Sequence, residues 1–515
     1  MSYIAKQKIK GNIYLYRVDS YWDKEKKQSR QKRTYIGPEN KKKSPKRVNN
    51  IELVYKKYGN MFLINTVISD LGLTKIISEC FPDDYNEIIA LAIYSICSGS
   101  PMYLFPQWFH EHCNIKSRSL HSPEISSLCE RTGVNQVAIR DFFTRWINKT
   151  GTDSDIYYDI TSISSYSDNI DFIEWGYNRD HENLPQTNLG IACNKNSTPL
   201  FYQLYPGSIT DVTTLKNNLN LLEYYDFSNT VLILDRGFCS RLNIMGMNLL
   251  RDRIRFIQPM TYSMKKVVEM LKNNRKKLRQ TETAFKYNEE ILHYIEDSLD
   301  IEGVKYRAHL FYNEKAEADL RNNFMHKVLS IKEKVLNKKF EKMKDYMEFR
   351  SSNIPEKYLG YFKLNRNTHR IELNHRNIKS YLIKSGYFVL LSNSEKTKKE
   401  CLLEHYRNRD TVEKLFDVEK NELDGNRLRV HRQYNADGRI FIKFIALIIY
   451  SKISFIMKEK KLFEKFTLKE MLAELSKIRC SDFDGKFIVS EISKTQKNIL
   501  KAFDIRPENL EKHRY

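Results

Sequence analysis

The run TVLILDRGF, Thr230 to Phe238, limits the fold more than any other stretch of this chain. Val231 to Leu234 are continuously apolar with no polar alternation, the pattern of a strand buried on both faces. Such a strand needs layers on both sides, which points to an α/β architecture. The preceding residues supply the rest of a sheet. DIYYDIT reads as a short strand, and NLGIAC and PLFYQLY around the polar turn NKNS read as a hairpin. PGSITD then breaks the strand and caps a helix running to about Leu222, with Thr210 or Asp211 as N-cap. The order is three strands, a helix, then a central strand. Two of these strands close on an acid, Asp159 after IYY and Asp235 after VLIL. Either alone is most often a turn former.

Charge defines the partner. The 515 residues carry 86 Lys and Arg against 64 Asp and Glu, a net charge of +22. That excess favours a polyanion, either nucleic acid or an anionic membrane. The most apolar stretch, FIKFIALIIYSKISFIM, is interrupted by Lys443 and Lys452 and is short for a span, so it reads as a buried helix and no membrane partner is expected. The first twelve residues have no apolar signal core. The eight cysteines form no C-x-x-C pair, so neither a disulfide framework nor a zinc ribbon is indicated and the chain reads as intracellular and reduced. His110, His112 and Cys113 in HEHC lack the second half of a metal cluster.

Composition and period divide the chain. Residues 1–50 form a basic arm with fifteen Lys and Arg against four Asp and Glu; NIYLYRVDSYW and SRQKRTYIG read as a β-hairpin, followed by the basic linker KKKSPKR. Interleaved Tyr and Trp make this arm a candidate for nucleic-acid contact. Residues 51–150 read as a helical, DNA-binding region. The α/β core occupies 151–260 and resumes over 396–460, and an α+β segment is inserted over 261–395. Residues 461–515 read as C-terminal helices.

The segment HYRNRDTVEKLFDVEK, His405 to Lys420, supplies a third acid. On a single helix Tyr406, Arg409, Glu413 and Lys420 fall near 0°, 300°, 340° and 320°, a stripe roughly 60° wide beside the apolar face of Val412, Leu415 and Phe416. Taken alone it is an amphipathic helix with salt bridges at helical spacing. With Asp159 and Asp235, Glu413 completes a set of two strand carboxylates and one helix carboxylate. Hard divalent cations take such oxygen ligands, and two of them clamp the attacking and leaving oxygens of a phosphodiester displacement.

Tyr406-x2-Arg409-x3-Glu413-x6-Lys420 resembles the YREK signature of insertion-sequence transposases of the IS-four superfamily. YDITSI and LILDRGF are similar to that family's first and second Asp segments, and GYNRDHENLPQTNLGIACNKNSTPLFYQLYPGSITDVTTL to its intervening strands. The resemblance implies a ribonuclease-H-like core, a mixed sheet with flanking helices, carrying a DDE triad of Asp159, Asp235 and Glu413, with a domain inserted before the Glu helix. It also implies two Mg²⁺ ions, replaceable by Mn²⁺, on those carboxylates. Arg409, Lys420 and Tyr406 would contact DNA phosphates, with Arg236 as a looser candidate or a structural salt bridge. The expected function is to cleave the terminal inverted repeats of an insertion sequence and join the freed 3′-hydroxyls to target DNA, as a homodimer on DNA in a prokaryotic cytoplasm. A metal-dependent nuclease without strand transfer, and a non-catalytic DNA-binding protein on the same fold, are the competing readings.

Overall fold

The computed structural model describes residues 2–10, 12–39, 55–152, 155–167, 169–335, 339–365, 367–394, 397–483 and 486–512. The chain divides into two units, one of residues 1–55 with 481–488 and the other of 56–480 with 489–515.

In the first unit, β1 (Ser2–Ile9), β2 (Asn12–Asp23) and β3 (Gln28–Pro38) form an antiparallel sheet. The hairpin expected from sequence is β2–β3; β1 is an added strand, pairing Ser2 with Asp19 through Ile9 with Asn12. Of its described side chains only Val18 is buried, so the sheet presents two solvated faces. The linker KKKSPKR lies outside the described residues.

The second unit opens with helices α1 (Gly59–Leu71), α2 (Leu73–Cys80), α3 (Tyr85–Ser98), α4 (Ser122–Val134) and α5 (Gln136–Thr150). The core sheet comes next, with β4 (Ile156–Ser165), β5 (Gln186–Asn194), β6 (Pro199–Pro206), α6 (Asp211–Tyr224), β7 (Thr230–Leu234), α7 (Arg241–Leu249) and β8 (Ile254–Pro259). The strands lie in the order β6-β5-β4-β7-β8. β5 is antiparallel to both neighbours, and β4, β7 and β8 are mutually parallel. This is a ribonuclease-H-like order. As its apolar run requires, Leu232, Ile233 and Leu234 of β7 are wholly buried.

The segment after β8 holds α8 (Lys265–Leu278), β9 (Ala284–Tyr287), β10 (Glu290–Ile301), β11 (Val304–Tyr312), α9 (Glu314–Val335), α10 (Met343–Asn353), α11 (His375–Leu382) and β12 (Tyr387–Ser392). Phe362–Leu364 and Ile371–Leu373 pair separately with each other, but the four longer strands named here join the core. β12 pairs with β8, and the order β9-β10-β11-β12-β8 prolongs the core sheet. Its helices gather a small core of their own around Phe324, Val328, Ile331, Phe340 and Ile371.

The segment read as one helix is two, α12 (Lys399–Arg407) and α13 (Asp410–Asp417), with a π turn, Val418–Glu422, after them. The break is a tight turn: the amides of Thr411 and Val412 donate to the carbonyls of Asn408 and Arg409 at 3.0 and 3.1 Å, three residues back instead of four. Next comes α14 (Gln433–Glu459), long and apolar enough to cross a membrane by length and composition, with 72% of its most apolar window buried inside the protein. Lys443 is buried there and donates to the Asp424 carbonyl at 2.5 Å. α14 crosses α4 closely, because a Cβ on Gly133 would meet the Tyr434 carbonyl and one on Gly438 the Cys129 carbonyl. Helices α15 (Leu468–Ser476) and α16 (Lys494–Ala502) complete the unit, both opened by capping boxes.

Cys113 and Cys480 are paired as a disulfide, which the scattered cysteine spacing did not reveal. In HEHC the His112 ring stacks on Trp108 and its Nδ1 lies 2.7 Å from the Trp108 carbonyl, so Cys113 and His112 are both engaged structurally.

Candidate active site

Asp159 and Asp235 meet through strand register. β4 and β7 are parallel, with Tyr158 opposite Leu234, so the next residue on each strand is the acid. Asp159 is not at a strand end, as the short reading of DIYYDIT implied. β4 runs on to Ser165 because β5 pairs with it as far as Ser164. β7 does stop at Leu234, and Asp235 begins the turn Arg236–Phe238. Asp159 Oδ1 accepts from the Ile160 amide at 2.8 Å. Burial pushes its carboxyl up to about 6, against the pull of that amide and of the Arg179 and Arg409 guanidiniums.

The third acid arrives through Arg409. One guanidinium nitrogen donates to Asp235 Oδ1, and the other to Glu413 Oε1 at 2.6 Å, one turn along at i+4. Arg409 thus bridges Asp235 and Glu413, and its charge also acts on Asp159 without bonding it. Among the described residues no three His, Cys, Asp or Glu side chains converge closely enough to hold a metal ion as they stand. Arg409 fills the space between two of the acids. The donors are nevertheless oxygen-only and anionic, the chemistry that suits a hard divalent cation, and the guanidinium marks where positive charge is stabilised.

The other residues of the stripe separate. The Tyr406 ring lies against Phe388, 6.0 Å between centroids, with Arg409 over its face at 5.9 Å; burial raises its hydroxyl pKa. Lys420 sits in the π turn, buried, with its ammonium 2.6 and 2.8 Å from the two Asp180 carboxylate oxygens. It is a structural ion pair here and presents no free cation. Arg236 stacks over Tyr262 at 5.7 Å. It has no ion-pair partner among the described residues, so the salt bridge considered for it is not formed.

Two further residues belong to this neighbourhood. Asp211, weighed only as a helix cap, is the first residue of α6 and pairs with Arg179, while Thr210 takes the N-cap position. Arg179 also reaches Ser162 Oγ on β4 at 3.3 Å. A Cβ on Gly237 would lie 2.9 Å from Asp211 Oδ2, so this fourth carboxylate packs against the turn that carries Asp235. Adjacent residues of one loop, Arg179 and Asp180, therefore hold α6 and the π turn respectively. The RD pair inside YNRDHE was the available signal; its two partners lie 32 and 240 residues away.

Residues 150–449 match the family model described as the transposase DDE domain. No curated protein matches the chain. Among solved structures it is similar to a cryo-EM structure of a piggyBac transposase synaptic complex with hairpin DNA, at 12% identity and a TM-score of 0.36, covering 81% of this chain and 79% of that one.

Proposed function

Because the chain belongs to the transposase DDE-domain family, we propose that it is a DNA transposase of the IS-four kind, cutting the terminal inverted repeats of an insertion sequence and joining the freed 3′-hydroxyls to target DNA. The observation that carries this reading is the register that sets Asp159 beside Asp235, with Glu413 tied to Asp235 through Arg409. Members of the family generally use divalent metal ions. In this chain Asp159, Asp235 and Glu413 would hold them, two Mg²⁺ or Mn²⁺. Bound there, the ions supply Lewis acidity for hydrolysis of the phosphodiester and for attack by the 3′-hydroxyl.

The side chains do the rest. Arg409, once released from the carboxylates, offers its planar fork to a phosphate. Tyr406, against Phe388, offers a hydroxyl to the same strand, and Arg236 a second guanidinium. Lys420 reaches a phosphate only by leaving Asp180. The basic sheet of the first unit and the helices of 51–150 are proposed as the surfaces that grip the repeat. A homodimer pairs the two ends, in the cytoplasm of a prokaryote.

The test is nicking and joining of a duplex carrying the inverted repeats that flank the gene. Asp159→Asn, Asp235→Asn and Glu413→Gln should each slow both steps by on the order of a thousandfold or more, with duplex binding retained. Near-parental nicking by any one would remove that residue from the triad. Nicking by the parent without joining of pre-cut ends would leave a nuclease.

A further inference from the structure

A groove of about 910 Å³ opens at the N-terminal end of α14. One wall is Pro101–Tyr103 with the first turns of α4. The other is the segment Arg429–Arg432 with the first turns of α14. Arg429, His431, Arg432 and Arg439 are among its lining residues. α14 has no acidic residue in its first turn, and its N-cap residue, Arg432, makes no side-chain cap. The positive end of a 27-residue helix therefore opens on the groove that Arg429, Arg432 and Arg439 line.

Each of the three arginines has one acidic partner, held loosely. Arg429 and Arg439 share Asp424, at 3.4 and 3.6 Å, and Arg432 lies 3.4 Å from Glu130. None is within the roughly 2.7–2.9 Å of a strong charge-assisted bond. A second observation comes from below the surface. Arg439 is only 8% exposed, yet its Nε has no hydrogen-bond partner. Buried polar atoms seldom go unpaired without a reason.

We propose that this groove binds the phosphodiester backbone of duplex DNA at a second place, apart from the carboxylate site; this rests on the transposase reading. Position selects a polymer over a free anion. The segment lining the groove leaves the Glu413 helix and is fastened by Arg427 and Leu428 to Ser164 and Ser165, at the far end of β4 from Asp159. Six strand residues at about 3.3 Å each make roughly 20 Å. Along the duplex axis each strand carries a phosphate about every 3.4 Å, so a duplex cut at the triad and running along β4 passes the start of the groove-lining segment about six nucleotides away.

The experiment measures equilibrium binding of a labelled 40-base-pair duplex by the full chain, without divalent ions, across a salt series. Arg429→Gln with Arg432→Gln removes two exposed cations. Lys458→Gln with Lys460→Gln, at the exposed far end of α14, removes the same charge. Thermal melts check that both variants fold. The salt slope should flatten by about two units for the groove pair, at roughly 0.9 per lost contact, and stay near parental for the control. A photocrosslinker replacing exposed Tyr103 at the groove should capture the duplex. An unchanged slope in the groove variant, equal losses in both variants, or no adduct at Tyr103 would overturn the proposal. Protection of the parent by inorganic phosphate, lost in the groove variant with no change in the duplex slope, would also overturn it, leaving a small-anion site. A parent that binds duplex through the groove yet never nicks the repeats would instead sink the transposase reading alone.

Discussion

Arg409 holds together acids that would otherwise repel one another. Its two guanidinium nitrogens engage Asp235 and Glu413, and its charge also steadies the half-buried Asp159. It therefore competes with any divalent cation for the same oxygens. Arg409→Ala should tighten Mn²⁺ binding to the DNA-free protein by on the order of tenfold, about 1.4 kcal/mol, while slowing cleavage through loss of a phosphate contact. Paramagnetic titration with Mn²⁺ reads the first effect and nicking the second. Unchanged Mn²⁺ affinity would mean the guanidinium does not occupy the cation's place. The Arg409–Glu413 pair was legible because i and i+4 meet on any helix. The Arg409–Asp235 pair was not, since 174 residues separate the partners.

Local backbone irregularity decides which parts of the expected stripe survive at the level of elements. The turn between α12 and α13 leaves Arg409 as the N-cap residue of α13, so its pairing with Glu413 persists across the break. The π turn adds a residue to the last turn of that helix and rotates the succeeding side chains out of α-helical phase. Lys420 accordingly goes to Asp180 and is buried. The β1–β3 sheet shows the opposite case, in which an element forms with almost no core. Its strands carry exposed Tyr21, Trp22, Tyr35 and Ile36 among many cations, a surface suited to a polyanion. Deleting residues 1–50 should weaken duplex binding and flatten the salt slope by several units if several of its cations touch phosphate. It should also erode preference for the repeat over scrambled duplex if base edges are read there. Salt titrations of both proteins on both duplexes would measure this, and an unchanged slope and preference would reduce the arm to a solubilising one.

For the whole molecule, the consequential feature is the continuity of the sheet. Residues inserted after β8 contribute four strands to it, and β12 covers the edge of β8 through Leu390–Pro259, Leu391–Gln258 and Ser392–Ile257. Replacing 265–392 by a short flexible linker would uncover that edge, and an unpaired apolar edge invites association between chains. The shortened protein should aggregate or lose its cooperative melt. A monomer that melts at the parental temperature would show the inserted wing to be dispensable to the core. Carboxylates gathered from β4, β7 and α13 depend on the same continuity, because β8 flanks the strand that positions Asp235.

Periodicity, apolar runs and local spacing were enough to read from sequence the strands and helices of 155–240 and the buried character of β7 and α14, while the DDE order of the three acids came from resemblance to a known family. These properties are fixed by neighbours within a few residues, and solvent exclusion acts on them directly. Pairings between distant segments were beyond such reading. Adjacency of Asp159 and Asp235 comes from parallel register, capture of Lys420 by Asp180 from a loop folding back over 240 residues, and joining of the inserted strands to β8 from a shared sheet edge. The RD pair marks Arg179 locally, but nothing local marks Asp211 as its partner. Their bond exists only because α6 and the loop before β5 converge beside β4, and convergence of that kind is decided by global packing, which no short window of sequence encodes.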